Sequence, residues 1–213
     1  MIDSSDAKPP LWLRFLQFPL TRIVALGFAL VFMMAVSDGF MQKFKGDPFA
    51  SIAAVVGMTA AALAVYIGWA RIIERRPALE LSLLGAGKEL GTGLLIGAGL
   101  YTVCVLILIG LGVYRVEGLN PWTFVIPAVA MALSSGMFEE LVFRGVLFRS
   151  VEDLFGSWVA LLVSAAVFGM VHLLNPAGTL GGAIFISIEA GLLLAAAYML
   201  TRRLWLSIGF HMS

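Results

Sequence analysis

The stretch GMFEELVFRG (Gly136–Gly145) sets two adjacent glutamates and an arginine inside a run otherwise suited to a bilayer. The apolar pattern around it continues from about 122 to 150, longer than the ~20 residues a helix needs to cross a hydrocarbon core roughly 30 Å thick. Composition supports the membrane reading. Of 213 residues, 61% are hydrophobic and 13% charged, with a mean hydropathy of +0.99. Soluble domains are about half apolar and a quarter charged. The expected fold is therefore all-α: a polytopic membrane helix bundle forming a single integral domain over 1–213.

Working outward from that run, the candidate spans are roughly 21–41, 49–70, 90–113, 122–150, 155–174 and 180–201. A seventh starts at Leu204 and is cut off at Ser213, so about seven transmembrane helices are expected, the last truncated. The opening MIDSSDAKPPLWLRFLQFPLTR lacks a signal peptide's short apolar core and small-residue cleavage site, so the first apolar run should remain as a helix. With the N-terminus cytoplasmic, the inside segments carry Lys8, Arg14, Arg22, Arg71, Arg75, Arg76, Lys88, Arg149, Arg202 and Arg203. The outside segments carry only Lys43, Lys45 and Arg115. A multi-pass cell-membrane protein with a cytoplasmic N-terminus is expected, with the lipid bilayer as a partner. The net charge of +1 gives no ground for nucleic-acid binding, and the single Cys104 cannot form an internal disulfide. Small-residue runs such as GTGLLIGAG (Gly91–Gly99) read as close packing between helices.

Removing the loop charges leaves Glu139, Glu140, Arg144, His172, Glu189 and His211 at membrane depth. Ionisable groups there are costly and face a bundle interior. Glu140 and Arg144 are four apart on one helix and can pair, while Glu139 is rotated by about 100° and can point elsewhere. Glu139 and His172 lie on either side of the Leu154–Gly156 turn, each roughly 22–26 Å from it at 1.5 Å per residue. A carboxylate and an imidazole at one depth can deprotonate water and return the proton to a leaving amine, and a second histidine can stabilise an oxyanion. The same residue types bind zinc, so one zinc at Glu139, His172 and His211 is the alternative, although no HExxH occurs. Glu189 reads either as a third carboxylate near the site or as a partner for Arg144. Asp38, Asn120 and Asn175 lie at span ends, where capping accounts for them. A small transporter using a Glu/His proton relay is a further reading of the same residues.

Three stretches in order resemble the CAAX-protease and bacteriocin-processing family, relatives of the type II CAAX prenyl endopeptidases. EELVFR (Glu139–Arg144) matches that family's E-E-x-x-x-R motif, and FGMVH (Phe168–His172) its F-x-x-x-H motif. LWLSIGFH (Leu204–His211) matches the start of its last motif, whose Asn or Asp four residues after the histidine would fall beyond Ser213. The resemblance covers about Trp122 to Ser213, so 122–213 is expected to be the catalytic core. It implies an intramembrane glutamic endopeptidase, of a group historically classed as metalloproteases, acting on membrane-associated peptides or proteins, prenylated CAAX-type ones among them. Glu139 and His172 would activate the water, Glu140 and Arg144 would support them, and His211 would help form the oxyanion hole, with no cofactor. A non-catalytic membrane scaffold or bacteriocin immunity protein with the same polar core is the alternative.

Overall fold

The computed structural model describes residues 10–213, so Lys8, counted above among the inside cations, lies outside the described residues. The described residues are helical, without strands. A short helix α1 (Leu11–Gln17) exposes Leu11, Trp12 and Phe15, the aromatic pattern of a segment at a membrane interface. Six helices are long and apolar enough to cross a membrane: α2 (Pro19–Lys43), α3 (Pro48–Ile73), α4 (Ala86–Gly110), α5 (Trp122–Phe155), α6 (Ser157–Leu174) and α7 (Leu180–Thr201). The seventh apolar segment is α8 (Leu204–His211), a helix of eight residues. These bounds shift the expected spans by only a few residues.

Local chemistry sets the ends. Pro48 begins α3, and the Asp47 carboxylate accepts from the backbone N–H groups of Phe49 (3.1 Å) and Ala50 (3.0 Å), satisfying donors that have no partner in a helix's first turn. Thr179 caps α7 by accepting from Gly182 N–H at 3.1 Å. Between α5 and α6 the chain reverses at Gly156, whose φ of +84° favours a residue without Cβ. That reversal makes α5 and α6 antiparallel neighbours.

In lipid, helices associate through close van der Waals contact and hydrogen bonds rather than burial from water. The core gathers on α5, where Phe138, Leu141, Val146 and Phe148 pack with Leu26 and Leu30 of α2, Tyr66 of α3 and Ile208 of α8. The expected small-residue packing falls between α4 and α8. Gly93 and Gly97 of α4 lie against Leu206 and Phe210, and Gly209 of α8 lies against the backbone of Leu90. The start of α8 is also tied down. Arg203 Nη2 donates to the Ser82 carbonyl at 2.6 Å, Trp205 Nε1 donates to the same oxygen at 2.9 Å, and Arg203 pairs with Glu89 at 3.0 Å.

At 34 residues, α5 is about 50 Å long and outruns the hydrocarbon core. Its far end carries Arg149 and Asp153 into an ionic cluster with Arg22, Glu74, Arg76 and Glu80. The cluster joins the start of α2, the α3–α4 connection and the end of α5. Arg22 pairs with Glu74 at 3.0 Å and Asp153 at 2.9 Å. Arg149 pairs with Glu74 at 3.0 Å and Glu80 at 3.3 Å, and Arg76 with Glu80 at 2.7 Å. Tyr66 donates to Glu80 at 2.5 Å. Burial by itself would raise both carboxyls. For Glu74 the charges of Arg149, Arg22 and Arg76 outweigh burial and hold the group below the ordinary carboxylate range. For Glu80 the Arg76 hydrogen bond, the Arg149 charge and the Tyr66 hydroxyl do the same. Read from sequence, Arg22, Arg76 and Arg149 were inside cations that report orientation. In the structure Arg22 is 5% exposed and Glu80 is equally buried.

Candidate active site

Glu140 and Arg144 are both wholly buried on α5, with Arg144 Nη1 2.8 Å from Glu140 Oε1. Two ions at membrane depth are tolerable when each is paired and hydrogen-bonded. Arg144 Nη2 donates to the Gly191 carbonyl of α7 at 3.0 Å, and its guanidinium sits 4.8 Å from the centre of the Phe168 ring, within cation–π range. The clamp therefore links α5, α6 and α7. Glu189 is not part of it: Arg144 takes Glu140 and Gly191 as partners, and Glu189 is exposed on the outside of α7. The expectation that Glu189 might pair with Arg144 is corrected, because the turn of α7 presents its backbone, not that side chain, to the guanidinium.

His211, the last residue of α8, joins the clamp. Its Nδ1 lies 2.9 Å from Glu140 Oε1, and its Nε2 lies 3.7 Å from Glu139 Oε2. One imidazole thus touches the buried carboxylate with one nitrogen and faces the freer carboxylate with the other. Glu139, rotated off the Glu140 face as its neighbouring position requires, keeps 21% of its side chain exposed. It opens into a cavity of about 360 Å³ shared with His172 and Asn175 and otherwise walled by Val31, Met34, Val142, Phe143, Val171 and Leu174. Glu139 and His172 therefore come to one place from antiparallel helices.

Phe168 organises both histidines. Its carbonyl lies 2.8 Å from His172 Nδ1. A carbonyl only accepts, so Nδ1 carries the proton and, in the neutral ring, Nε2 presents its lone pair. The Phe168 ring lies 5.1 Å from the His172 ring and 5.8 Å from the His211 ring, the latter edge-on, and Phe143 packs edge-on against it at 5.0 Å. Quoted above only as the first letter of a motif, Phe168 is the packing centre of the site. The i, i+4 spacing of Phe168 and His172 is the signal for it, since that spacing puts both on one helix face.

Among the described residues no three His, Cys, Asp or Glu side chains are grouped so as to hold a metal ion, and both histidines direct Nδ1 at protein oxygens, which leaves Nε2 as the nitrogen turned toward the site. Chemically the arrangement offers a carboxylate beside an imidazole, in a largely apolar cavity backed by a buried ion pair and a second imidazole.

Residues 121–213 match the family model described as type II CAAX prenyl endopeptidase Rce1-like. The match runs from the start of α5 to the end of the chain and contains Glu139, Glu140, Arg144, His172 and His211, while α1 to α4 lie outside it. No curated protein and no solved structure matches the chain.

Proposed function

We propose that the chain, which through residues 121–213 belongs to the type II CAAX prenyl endopeptidase Rce1-like family, is an intramembrane endopeptidase cleaving a CAAX-type or other membrane-associated peptide. One observation carries the reading: Glu139 and His172 line the same cavity. Residues 122–213 supply every catalytic group in this scheme. The lipid bilayer surrounds the six spans, and the N-terminus together with the ionic cluster sits on the cytoplasmic side.

In the proposed reaction, the Glu139 carboxylate takes a proton from a water while the water oxygen bonds to the scissile carbonyl carbon and the carbonyl π electrons move onto oxygen. Neutral His172 accepts a hydrogen bond at Nε2 and so orients that water. When the tetrahedral intermediate collapses, the C=O re-forms and the C–N bond breaks. The proton held by Glu139 passes to the departing nitrogen, leaving a new carboxyl terminus and an amine. Glu140 and Arg144 hold Glu139 at its rotation on α5, and Glu140 fixes the His211 ring so that Nε2 faces the reacting carboxylate. The apolar walls suit aliphatic residues or a lipid chain. The chemistry uses only these side chains and water, without a metal.

The test is cleavage of a farnesylated CAAX-type peptide and its unlipidated twin by protein in proteoliposomes. Glu139→Gln and His172→Ala should each abolish turnover while keeping the wild-type melting temperature, and a chelator should leave the wild-type rate unchanged. Full activity in both variants refutes the scheme. Loss on chelation, with about one zinc per chain, replaces it with a metal mechanism.

A further inference from the structure

We propose that Asn175 binds the substrate's scissile carbonyl oxygen, because it lines two adjoining cavities with His172 and is the uncommitted N–H donor in the one it shares with Glu139. The proposal rests on the proteolytic reading above and adds to it a residue that sequence reasoning had put down to capping.

The placement begins with the backbone. His172–Leu174 form a 3₁₀ turn. Asn175 N–H closes that turn on the His172 carbonyl at 3.2 Å, so its backbone is tied directly to that of the histidine. Pro176 follows and disfavours helical geometry at the residue before it, and Asn175 is extended, at φ −69° and ψ 141°. Gly178 N–H then donates to the Asn175 carbonyl at 2.8 Å, closing the turn Asn175-Pro176-Ala177-Gly178. A Cβ at Gly178 would lie 2.6 Å from the His172 carbonyl oxygen, so this turn is pressed against the histidine's own backbone. The Asn175 backbone is thus held before any substrate arrives.

Its side chain is free for use. Capping of α7 falls to Thr179, and the Asn175 amide makes no hydrogen bond among the described residues. It lines the cavity of about 360 Å³ with Glu139 and His172, and also an adjoining cavity of about 210 Å³ that includes His172, Thr179 and Gly182. A substrate reaching across that border must pass it. Within the larger cavity the inventory of polar side chains is short. Glu139 is an acceptor, His172 has committed its N–H to Phe168, and the other side chains are apolar. Asn175, with two amide protons, is the remaining side-chain donor. A donor fixed where negative charge develops on oxygen stabilises the transition state more than the ground state.

The experiment uses the full chain in proteoliposomes and the farnesylated peptide, comparing wild type, Glu139→Gln, Asn175→Ala and Asn175→Asp. Asn175→Ala should lower kcat by about 10²–10³-fold, the usual loss for one oxyanion donor, with KM within a few-fold and the melting temperature unchanged. Asn175→Asp keeps the shape and turn preference but offers no N–H, so it should not restore kcat. Wild-type kcat in either variant overturns the assignment, as does a loss that follows only the folded fraction. A wild type that does not cleave, or a Glu139→Gln that does, overturns the proteolytic reading and the assignment with it. Normal behaviour of those two beside a fully active Asn175→Ala removes the assignment alone.

Discussion

Replacing Gly209 by alanine adds one methyl group at the seam that places His211. A Cβ there would stand 2.1 Å from the Leu90 carbonyl oxygen and 2.9–3.0 Å from the carbonyl carbon and Cα of the same residue, all rigid backbone. Ordinary contact begins near 3.4 Å, so α8 would have to retreat from α4 by about 1.3 Å, the difference between 3.4 and 2.1 Å. Space on the other side is short. Gly136 of α5 already faces the Ile208 carbonyl at 3.4 Å and the Met212 side chain at 2.5 Å, measured from the position its own Cβ would take. The helix is held between two glycine-lined neighbours, and overpacking of this kind costs about 1–3 kcal/mol. His211 lies two residues further on, with its ring 2.9 Å from Glu140 and 3.7 Å from Glu139. A displacement of about 1 Å in a catalytic constellation can cost on the order of 10²-fold in rate. We expect Gly209→Ala to lower both the melting temperature and the rate of peptide cleavage. Gly99→Ala on α4, where a Cβ meets nothing within 4 Å, should change neither. Purified protein in detergent serves for the melting curves, and proteoliposomes serve for the rates. Equal values for Gly209→Ala and wild type in both assays would show that α8 is not seated as described.

Arg144→Met should destabilise the fold by about 3–5 kcal/mol, because it leaves Glu140 charged and wholly buried without its partner. Adding Glu140→Gln should recover much of the melting temperature without restoring cleavage, and a double variant no more stable than the single one contradicts this. The ionic cluster predicts an acid limb. Glu74 and Glu80 have folded values held below their unfolded ones, so their contribution is complete above the ordinary carboxylate range and is lost as the pH falls through the folded values, below about 4.5. Melting temperature against pH should be flat from about 7 to 5 and fall below that, and Glu80→Gln should lower the plateau and flatten the fall. An unaltered acid limb in Glu80→Gln rules out that residue as its source.

Much of the site was legible because a membrane simplifies the reading of charge. In a chain with six apolar helices, each carboxylate or imidazole inside a span calls for a reason, and Glu139, Glu140, Arg144 and His172 stand out as candidates by where they lie, with His211 on the apolar segment that follows. Helical spacing foretold the Glu140–Arg144 pair and the divergence of Glu139, since both depend only on a period of 3.6. Outside the spans the same reasoning is blind. Arg22 and Arg149 counted only as inside cations, and only the packing of the start of α2, the α3–α4 connection and the end of α5 buries them with Glu74 and Glu80. Asn175 was passed over for a similar reason: a helix end offers a ready explanation for an asparagine, and nothing local says that Thr179 takes the cap instead.

By itself, then, the order of residues determined the bundle, its spans, and which polar groups stand at membrane depth, because transfer into lipid and helical periodicity are local properties of a segment. Which of those groups touch was decided by tertiary packing. Gly93, Gly97 and Gly209 let α8 approach α4 closely enough to carry His211 onto Glu140, and the Gly191 backbone, in place of Glu189, meets Arg144. Such contacts depend on how far apart two helices lie and how each is rotated, quantities that arise only when their surfaces are fitted together.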